Sequence, residues 1–289
     1  MNDRYPPWGV ETLTPEVLER LARAALDEDI GTRDATTEAT VTEAATAVGT
    51  FVAKQELVVA GLDVAMHVFR ALSPKIGWVA RAREGDRFKP GDLIASVSGP
   101  ARAILTAERV ALNFLQRMSG IATITRRFVT TVEGTGVKIR DTRKTTPLLR
   151  ALEKRAVELG GGVPHRSGLN TGILVKDNHV LLAGSVGEAT RRAVAGARGL
   201  MVEVEVDSPG QIEDAISNGA QMILLDNFTP DDVRTAVERI AGRVPIEVSG
   251  GVTLDTVRAY AEAGPTYIAV GALTHSAPAV DISLEVEPD

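Results

Sequence analysis

The 289-residue chain contains no cysteine. That excludes disulfides, thiolate nucleophiles and cysteine-ligated zinc together, and it suits a reducing compartment such as the cytoplasm. Aromatic residues make up only 4% of the chain, and no apolar run approaches the roughly 18 residues needed to cross a bilayer. The first ten residues lack the basic-then-apolar layout of a secretion signal. The four histidines show no metal-ligand spacing. H-E-x-x-H, G-x-S-x-G and the P-loop pattern are all absent, and no G-x-G-x-x-G follows a strand. The formal net charge is −6, which argues against a general nucleic-acid or membrane-surface binder.

What positive charge there is lies concentrated. From Lys138 to Lys176, nine Lys/Arg accompany three acids, so a segment of net +6 sits on a body of net −12. Such a focus points to a compact anionic ligand. Arg150, Lys154 and Arg155, spaced i, i+4, i+5, are accounted for by a solvated basic helix face. Arg143, Lys144, His165, Arg166 and Lys176 remain as donors for carboxylate and phosphate. Arginine forks hold carboxylates bidentately, and lysine acts as a point charge for phosphate. The glycines of "GGGVPHRSG" place His165 and Arg166 on a loop.

The chain reads in two parts. Thr14 to Asp29 has helical spacing, with Leu18, Leu21, Ala25 and Leu26 on one face and Thr14-Pro15 as its start. "TAVGTFVAKQELVVAG" and "GWVARAREGDRFKPGDLIASVSG" alternate as strands do. The second has the rhythm of lipoyl-type modules but no lysine at a hairpin tip. Thr106 to Met118 predicts a helix whose apolar side is Val110, Ala111, Phe114, Leu115 and Met118, with Arg109, Asn113 and Gln116 opposite. From Val137 onward, short β-rich runs ("VKIRD", "ILVKD", "MVEVEVD", "QMILLDN", "PIEVSGG", "YIAVGAL") alternate with helical stretches at 185–197, 208–218, 230–241 and 253–263. Near-continuous apolar strands between helices mean a parallel sheet covered on both faces.

Each run ends on a polar or glycine residue: Asp141 and Arg143, Lys176, Glu205, Asp226, Ser249, Gly271. An α/β barrel gathers such positions on one rim. Six clear strands point to an atypical, incomplete barrel, with a doubly wound open sheet as the alternative. Glu205 and Asp226 have two compatible roles, holding Mg²⁺ together with substrate phosphates or pairing with cations across the barrel mouth. "SGG" at 249–251 and "GAL" at 271–273 suit close approach of backbone N–H groups to phosphate, and equally suit ordinary turns. Lys176 at a strand end also admits a Schiff-base aldolase or decarboxylase.

The runs "LTAERVALNFLQRMSGIAT" (105–123), "KIRDTRKTTPLLRALEKRAV" (138–157), "GGGVPHRSGL" (160–169), "LVKDNHV" (174–180), "VEVEVDS" (202–208), "ILLDN" (223–227), "VSGG" (248–251) and "VGALTHSAPAVDISL" (270–284) closely resemble the quinolinate phosphoribosyltransferase family. The N-terminal "ALDEDIGTRDATTEAT" and "VVAGLDVA" fit as well, so the resemblance covers nearly the whole chain. It implies an N-terminal α/β sandwich (1–112, joined by the tail 279–289) and an atypical, six- or seven-stranded α/β barrel (113–278). It implies quinolinate and 5-phosphoribosyl-1-pyrophosphate as substrates, Mg²⁺ as cofactor, and a cytoplasmic homodimer or hexamer with no nucleic-acid or membrane partner. Under this resemblance Arg143, His165, Arg166 and Lys176 bind quinolinate, with Arg109 supplied by the partner subunit. Thr142, Lys144, Lys176, Glu205, Asp226, Ser249, Gly250, Gly251, Val270, Gly271, Ala272 and His275 complete the substrate site. Glu205 and Asp226 hold the metal, and Lys144, Lys176, Glu205 and Asp226 carry the chemistry. A pyridine-base or molybdenum-associated transferase of the same fold is the nearest alternative.

Overall fold

A computed structural model describes residues 13–81 and 83–289; the first twelve residues of the expected N-terminal domain lie outside them. The described chain forms two compact units. One holds the residues up to Ile124 together with 151–160 and 277–289, and the other holds 125–150 and 161–276.

The first unit is built on a four-stranded antiparallel sheet in the order Ile282–Pro288, Thr46–Ala53, Leu93–Pro100, Gly77–Ala80. The C-terminal strand pairs along the full length of its neighbour, from Ala47 opposite Pro288 to Ala53 opposite Ile282. Phe51 projects from the sheet onto Phe69 of the helix Leu62–Leu72, edge to face at 5.9 Å, and onto Trp78 at 5.6 Å. The helix Pro15–Ile30 buries Leu18, Ala22 and Leu26, one residue per turn. Thr14 Oγ1 accepts from the Val17 N–H at its start, and Gly31 stops it with φ +57°. Gly61 has no side chain with which to cap the helix Leu62–Leu72. Glu84 caps it from a distance, its carboxylate accepting from the N–H groups of Gly61 at 3.0 Å and Leu62 at 2.7 Å.

The expected helix at 106–118 extends over Ala101–Thr131. Its predicted apolar side is buried, with Val110, Ala111, Phe114, Leu115 and Met118 all in the core. This one helix runs through position 112, and the two units divide at 124/125. A continuous amphipathic pattern carries no mark of where packing partners change. The helix Arg150–Leu159, which lies in sequence between two strands of the second unit, packs mostly with the first. It is not a solvated basic face. Lys154 is fully buried and Arg150 donates to Thr145 Oγ1 and Ser167 O, leaving Arg155 alone on the solvent side.

The second unit is a six-stranded, wholly parallel sheet among the described residues. Its order is Lys138–Arg140, Tyr267–Ala269, Ile246–Ser249, Met222–Asp226, Val202–Val206, Ile173–Val175. Five strands follow in chain order, and the first returns beside the last. A doubly wound sheet reverses direction at a switch point; this one is cyclic, a barrel left open between its first two strands. The four expected helices are present as Val186–Ala195, Gln211–Ser217, Pro230–Ile240 and Val257–Glu262. No described helix is long and apolar enough to cross a membrane.

Two glycines separate a packing requirement from a merely tolerated one. A Cβ on Gly120 would overlap the Pro278 carbonyl oxygen, where the long helix meets the start of the C-terminal tail. Gly210, at φ −64° and ψ −28°, meets nothing within 4 Å. In urea unfolding, Gly120→Ala should lose about 1–3 kcal/mol, the usual cost of overpacking. Gly210→Ala should be neutral or gain up to about 1 kcal/mol by restricting the unfolded chain. Equal midpoints for the two variants would contradict this assignment.

Candidate active site

The carboxyl ends of the six strands surround a cavity of about 540 Å³, a size suited to small molecules. Strand alternation explains who faces it. In Val202–Val206 every second residue is acidic, so Glu203 and Glu205 share one face while Val202, Val204 and Val206 pack outward. Glu205 reaches the cavity; Glu203 lies a layer deeper and is fully buried. Asp226 and Ser249, paired in register at the ends of neighbouring strands, form the adjoining wall with Gly250 and Gly251. Thr142, Arg143 and Lys144 follow the first strand, and Lys176 the second. His165 and Arg166 come from the glycine-rich loop, which is held in place where the His165 N–H donates to the buried Asp141 carboxylate at 2.6 Å.

Eleven predicted residues thus converge on one cavity: Thr142, Arg143, Lys144, His165, Arg166, Lys176, Glu205, Asp226, Ser249, Gly250 and Gly251. Five do not line it. Val270 is buried and its N–H donates to Arg140 O. Gly271 stands behind Lys144, where a Cβ would come within 3.3 Å of the lysine Cδ. Ala272 begins the short helix Ala272–His275, and His275 is exposed with Nδ1 at 2.6 Å from Ser276 Oγ. Arg109 is exposed on the long helix of the first unit. The cavity adds Asn227 and Glu247, which charge counting passed over. The signal for Glu247 was available: "IEVS", like "VEVEV", puts an acid at alternate positions of an otherwise apolar strand.

Beneath the cavity floor lies a cluster of charges. Arg140 donates to Glu247 Oε2 at 2.6 Å and stacks 3.6 Å above the Tyr267 ring. His165 Nε2 stands 3.2 Å from Glu203 and 3.4 Å from Glu247, while its Nδ1 accepts from the Arg166 N–H at 2.7 Å. That acceptor role leaves the imidazole proton on Nε2, facing the two carboxylates. His165, Glu203 and Glu247 lie within metal-ligand reach of one another. The Arg140 guanidinium already supplies countercharge there, so the group reads as an ion-pair cluster. Burial pushes the Glu203 carboxyl up to about 7 against the opposing pull of Arg140 and Arg166. Burial and the neighbouring Glu203 raise Glu247 as well. Burial, with Arg143 alongside, pushes the Arg166 guanidinium down.

Nearer the mouth, Lys176 Nζ pairs with Glu205 Oε2 at 2.8 Å and is half exposed. An ion-paired, wet lysine lacks the desolvated setting of a Schiff-base nucleophile. Arg166 donates to Gly172 O at 2.8 Å. The Nε groups of Arg143 and Arg166 are buried with no acceptor among the described residues. Two guanidiniums with unspent donors, beside Lys144 and Lys176, suit an anion with more than one acidic group.

Residues 34–119 match the family model for the quinolinate phosphoribosyl transferase N-terminal domain, and residues 121–285 match that for its C-terminal domain. The chain is 42% identical over 270 residues to the probable nicotinate-nucleotide pyrophosphorylase [carboxylating] of Bacillus subtilis, covering 93% of each chain. It is 45% identical to the nicotinate-nucleotide pyrophosphorylase [carboxylating] of Mycobacterium leprae, over 91% of this chain and 95% of that one. The crystal structure of NadC from Streptococcus pyogenes superposes with a TM-score of 0.92 at 39% identity, covering 96% of this chain and 99% of that one.

The raised carboxyl of Glu203 makes stability depend on pH. Between its ordinary value near 4.5 and about 7, the folded protein holds a proton that the unfolded chain has lost. Glu203 therefore favours folding most at or below pH 4.5, and this advantage is lost as pH rises to about 7. Glu203→Gln removes that slope. The stability of the variant relative to the parent, measured by urea unfolding from pH 5 to 8, should rise up to about pH 7 and then level off. A pH-independent difference would show that Glu203 is ionised throughout.

Proposed function

The chain belongs to the quinolinate phosphoribosyltransferase family, and we propose that it transfers the phosphoribosyl group of 5-phosphoribosyl-1-pyrophosphate to quinolinate with decarboxylation, giving nicotinate mononucleotide, pyrophosphate and CO₂. This is a step of NAD biosynthesis. The observation that carries the reading is the convergence of Arg143, Lys144, Arg166 and Lys176 with Glu205, Asp226 and a glycine loop on one cavity. Both substrates are polyanions. Their mutual repulsion in a small cavity needs a dense set of cations to offset it.

In this reading the Arg143 and Arg166 guanidiniums hold the pyridine dicarboxylate, with Lys176 beside them and His165 fixed in the floor. The pyridine nitrogen attacks the anomeric carbon of the ribose, the bond to pyrophosphate breaks, and positive charge develops on the sugar. Glu205 and Asp226 lie where they stabilise that charge. The electron pair released as the adjacent carboxylate leaves as CO₂ stays on that ring carbon, stabilised by the quaternary nitrogen beside it, and then takes up a proton. Lys144 and Lys176 are the proton donors available in the cavity.

The donor set also fits Mg²⁺. Glu205 and Asp226 are hard oxygen ligands on the cavity wall, and in each one oxygen makes no hydrogen bond among the described residues. Two carboxylates plus substrate phosphates are a usual magnesium environment. Bound there, the ion supplies charge neutralisation for the departing pyrophosphate. Cytoplasmic operation accords with the absence of cysteine.

The working form is a homodimer, or a hexamer made of three such dimers, with Arg109 of one subunit completing the quinolinate pocket of the next. Exposed leucines on segments following barrel strands support a buried rim: Leu148 and Leu182 are 91% and 86% exposed, with Leu169 and Leu181 not far behind.

Incubation of the protein with quinolinate, phosphoribosyl pyrophosphate and Mg²⁺ should yield nicotinate mononucleotide and CO₂, and excess chelator should stop it. Nicotinate should be turned over at least about a hundredfold less well, because losing one carboxylate strands a buried cation at a cost of about 3–5 kcal/mol. Comparable rates on both bases would point instead to a related transferase.

A second test addresses the shared pocket. Arg109→Ala and Lys176→Ala should each be folded and inactive. In a mixed dimer one pocket carries both lesions and the other carries neither. After subunit exchange, confirmed by mass spectrometry, activity should return towards about a quarter of the parent's, given random assortment in an isologous dimer. Exchange without any recovery would place Arg109 outside the partner's pocket.

A further inference from the structure

The strand Met222–Asp226 is followed by a residue that neither charge nor strand patterning singles out. Asn227 has φ +59°, in the left-handed region. Its backbone N–H donates to Ser249 O at 2.9 Å, tying the end of this strand to the end of the next. Its side-chain Nδ2 donates to Asp226 Oδ2 at 2.7 Å. On the other side stands Gly250 at φ +103°, where a Cβ would overlap Asn227 Oδ1 and come 2.7 Å from its Cγ. The asparagine side chain is therefore wedged between an acid at one strand end and a glycine just past the other, and all three line the cavity.

The residue type is informative. Glycine, asparagine and aspartate are the residues that enter the left-handed region at least cost. Of these, only asparagine carries a side-chain N–H donor. Glycine would keep the backbone and lose the bond; aspartate would set a second anion against Asp226. A carboxylate held through one oxygen by a charge-assisted hydrogen bond has one orientation instead of several, and its second oxygen is presented in a fixed direction.

We propose that Asn227 is a positioning residue for phosphoribosyl pyrophosphate: its amide fixes the orientation of Asp226, and its body holds the Gly250–Gly251 backbone open beside the same ligand. The proposal rests on the reading of this wall as the phosphoribosyl pyrophosphate site.

The test is a double-mutant cycle on ligand affinity, measured by calorimetry with phosphoribosyl pyrophosphate in the presence of Mg²⁺. Asn227→Gly, which keeps the backbone conformation, should unfold near the parent's midpoint and bind phosphoribosyl pyrophosphate about tenfold more weakly. Its KM for quinolinate should not move. Asp226→Asn should weaken binding on its own, and adding Asn227→Gly to it should cost little more, because the amide acts through the carboxylate. Asn227→Asp, close to asparagine in volume, should bind at least as weakly as Asn227→Gly, and it carries the test if the glycine variant fails to fold. Parent-like affinity in the Asn227 variants beside a weakened Asp226→Asn would overturn the positioning role. Parent-like affinity in Asp226→Asn would remove the role of Asp226 itself, and the proposal with it.

Discussion

Arg140 and Glu247, almost wholly shielded from water and 2.6 Å apart, join the first strand of the open barrel to a strand two places away in the sheet. Neither charge is affordable alone at that depth. Removing one partner of such a pair costs about 3–5 kcal/mol, because the other is left ionised and dry. Around it stand Glu203, His165 and Asp141, which are also buried and also charged or hydrogen-bonded. A barrel interior is usually filled by branched apolar side chains. Here part of that filling is ionic, and each member limits where the others can sit.

The cavity above inherits its order from this floor. Asp141 holds the loop that carries His165 and Arg166, and His165 in turn is held at both ring nitrogens. Arg150 pins that same loop at Ser167 and the preceding one at Thr145. Arg166, the cation carried on that loop, is therefore held beside Arg143 before a ligand arrives. Preorganisation of this kind places the reorganisation cost in folding and not in the chemical step. The softer part of the site is the Lys176–Glu205 pair, which is half exposed on the lysine side and free to exchange partners with an anionic ligand or a cation.

Much of this was legible from local pattern. Apolar runs alternating with helices identified the parallel sheet, and the polar residue at each run's end located the rim, because strand geometry puts those ends together whatever the loops do. Arg143, Lys176, Glu205, Asp226 and Ser249 follow from that logic; Lys144, His165 and Arg166 follow from the cationic focus, Gly250 and Gly251 from the glycine turn, and Thr142 from the family resemblance. The errors have a common origin. Lys154 and Arg150 look like a solvated helix face by spacing, but what covers a helix is decided by the rest of the chain. The end of a unit inside a continuous helix, and the deep placement of Glu203 relative to Glu205, are equally invisible to a window of ten residues. Asn227 was missed because it acts through geometry, a left-handed turn and an amide, and brings no charge of its own.

The sequence by itself determined the elements, the side of each strand on which its acids would lie, the cationic focus and the family resemblance. All of these depend on periods of two and 3.6 residues, or on short contiguous motifs, and such information is local. Only the tertiary structure decided which strands become neighbours, and hence which charges meet. Arg140 and Glu247 are 107 residues apart in the chain. Their pairing exists because the first strand returns beside the last, and no local pattern in either segment names the other. Closure of the sheet brings them together, and a buried charge has no stable alternative to the partner that closure provides.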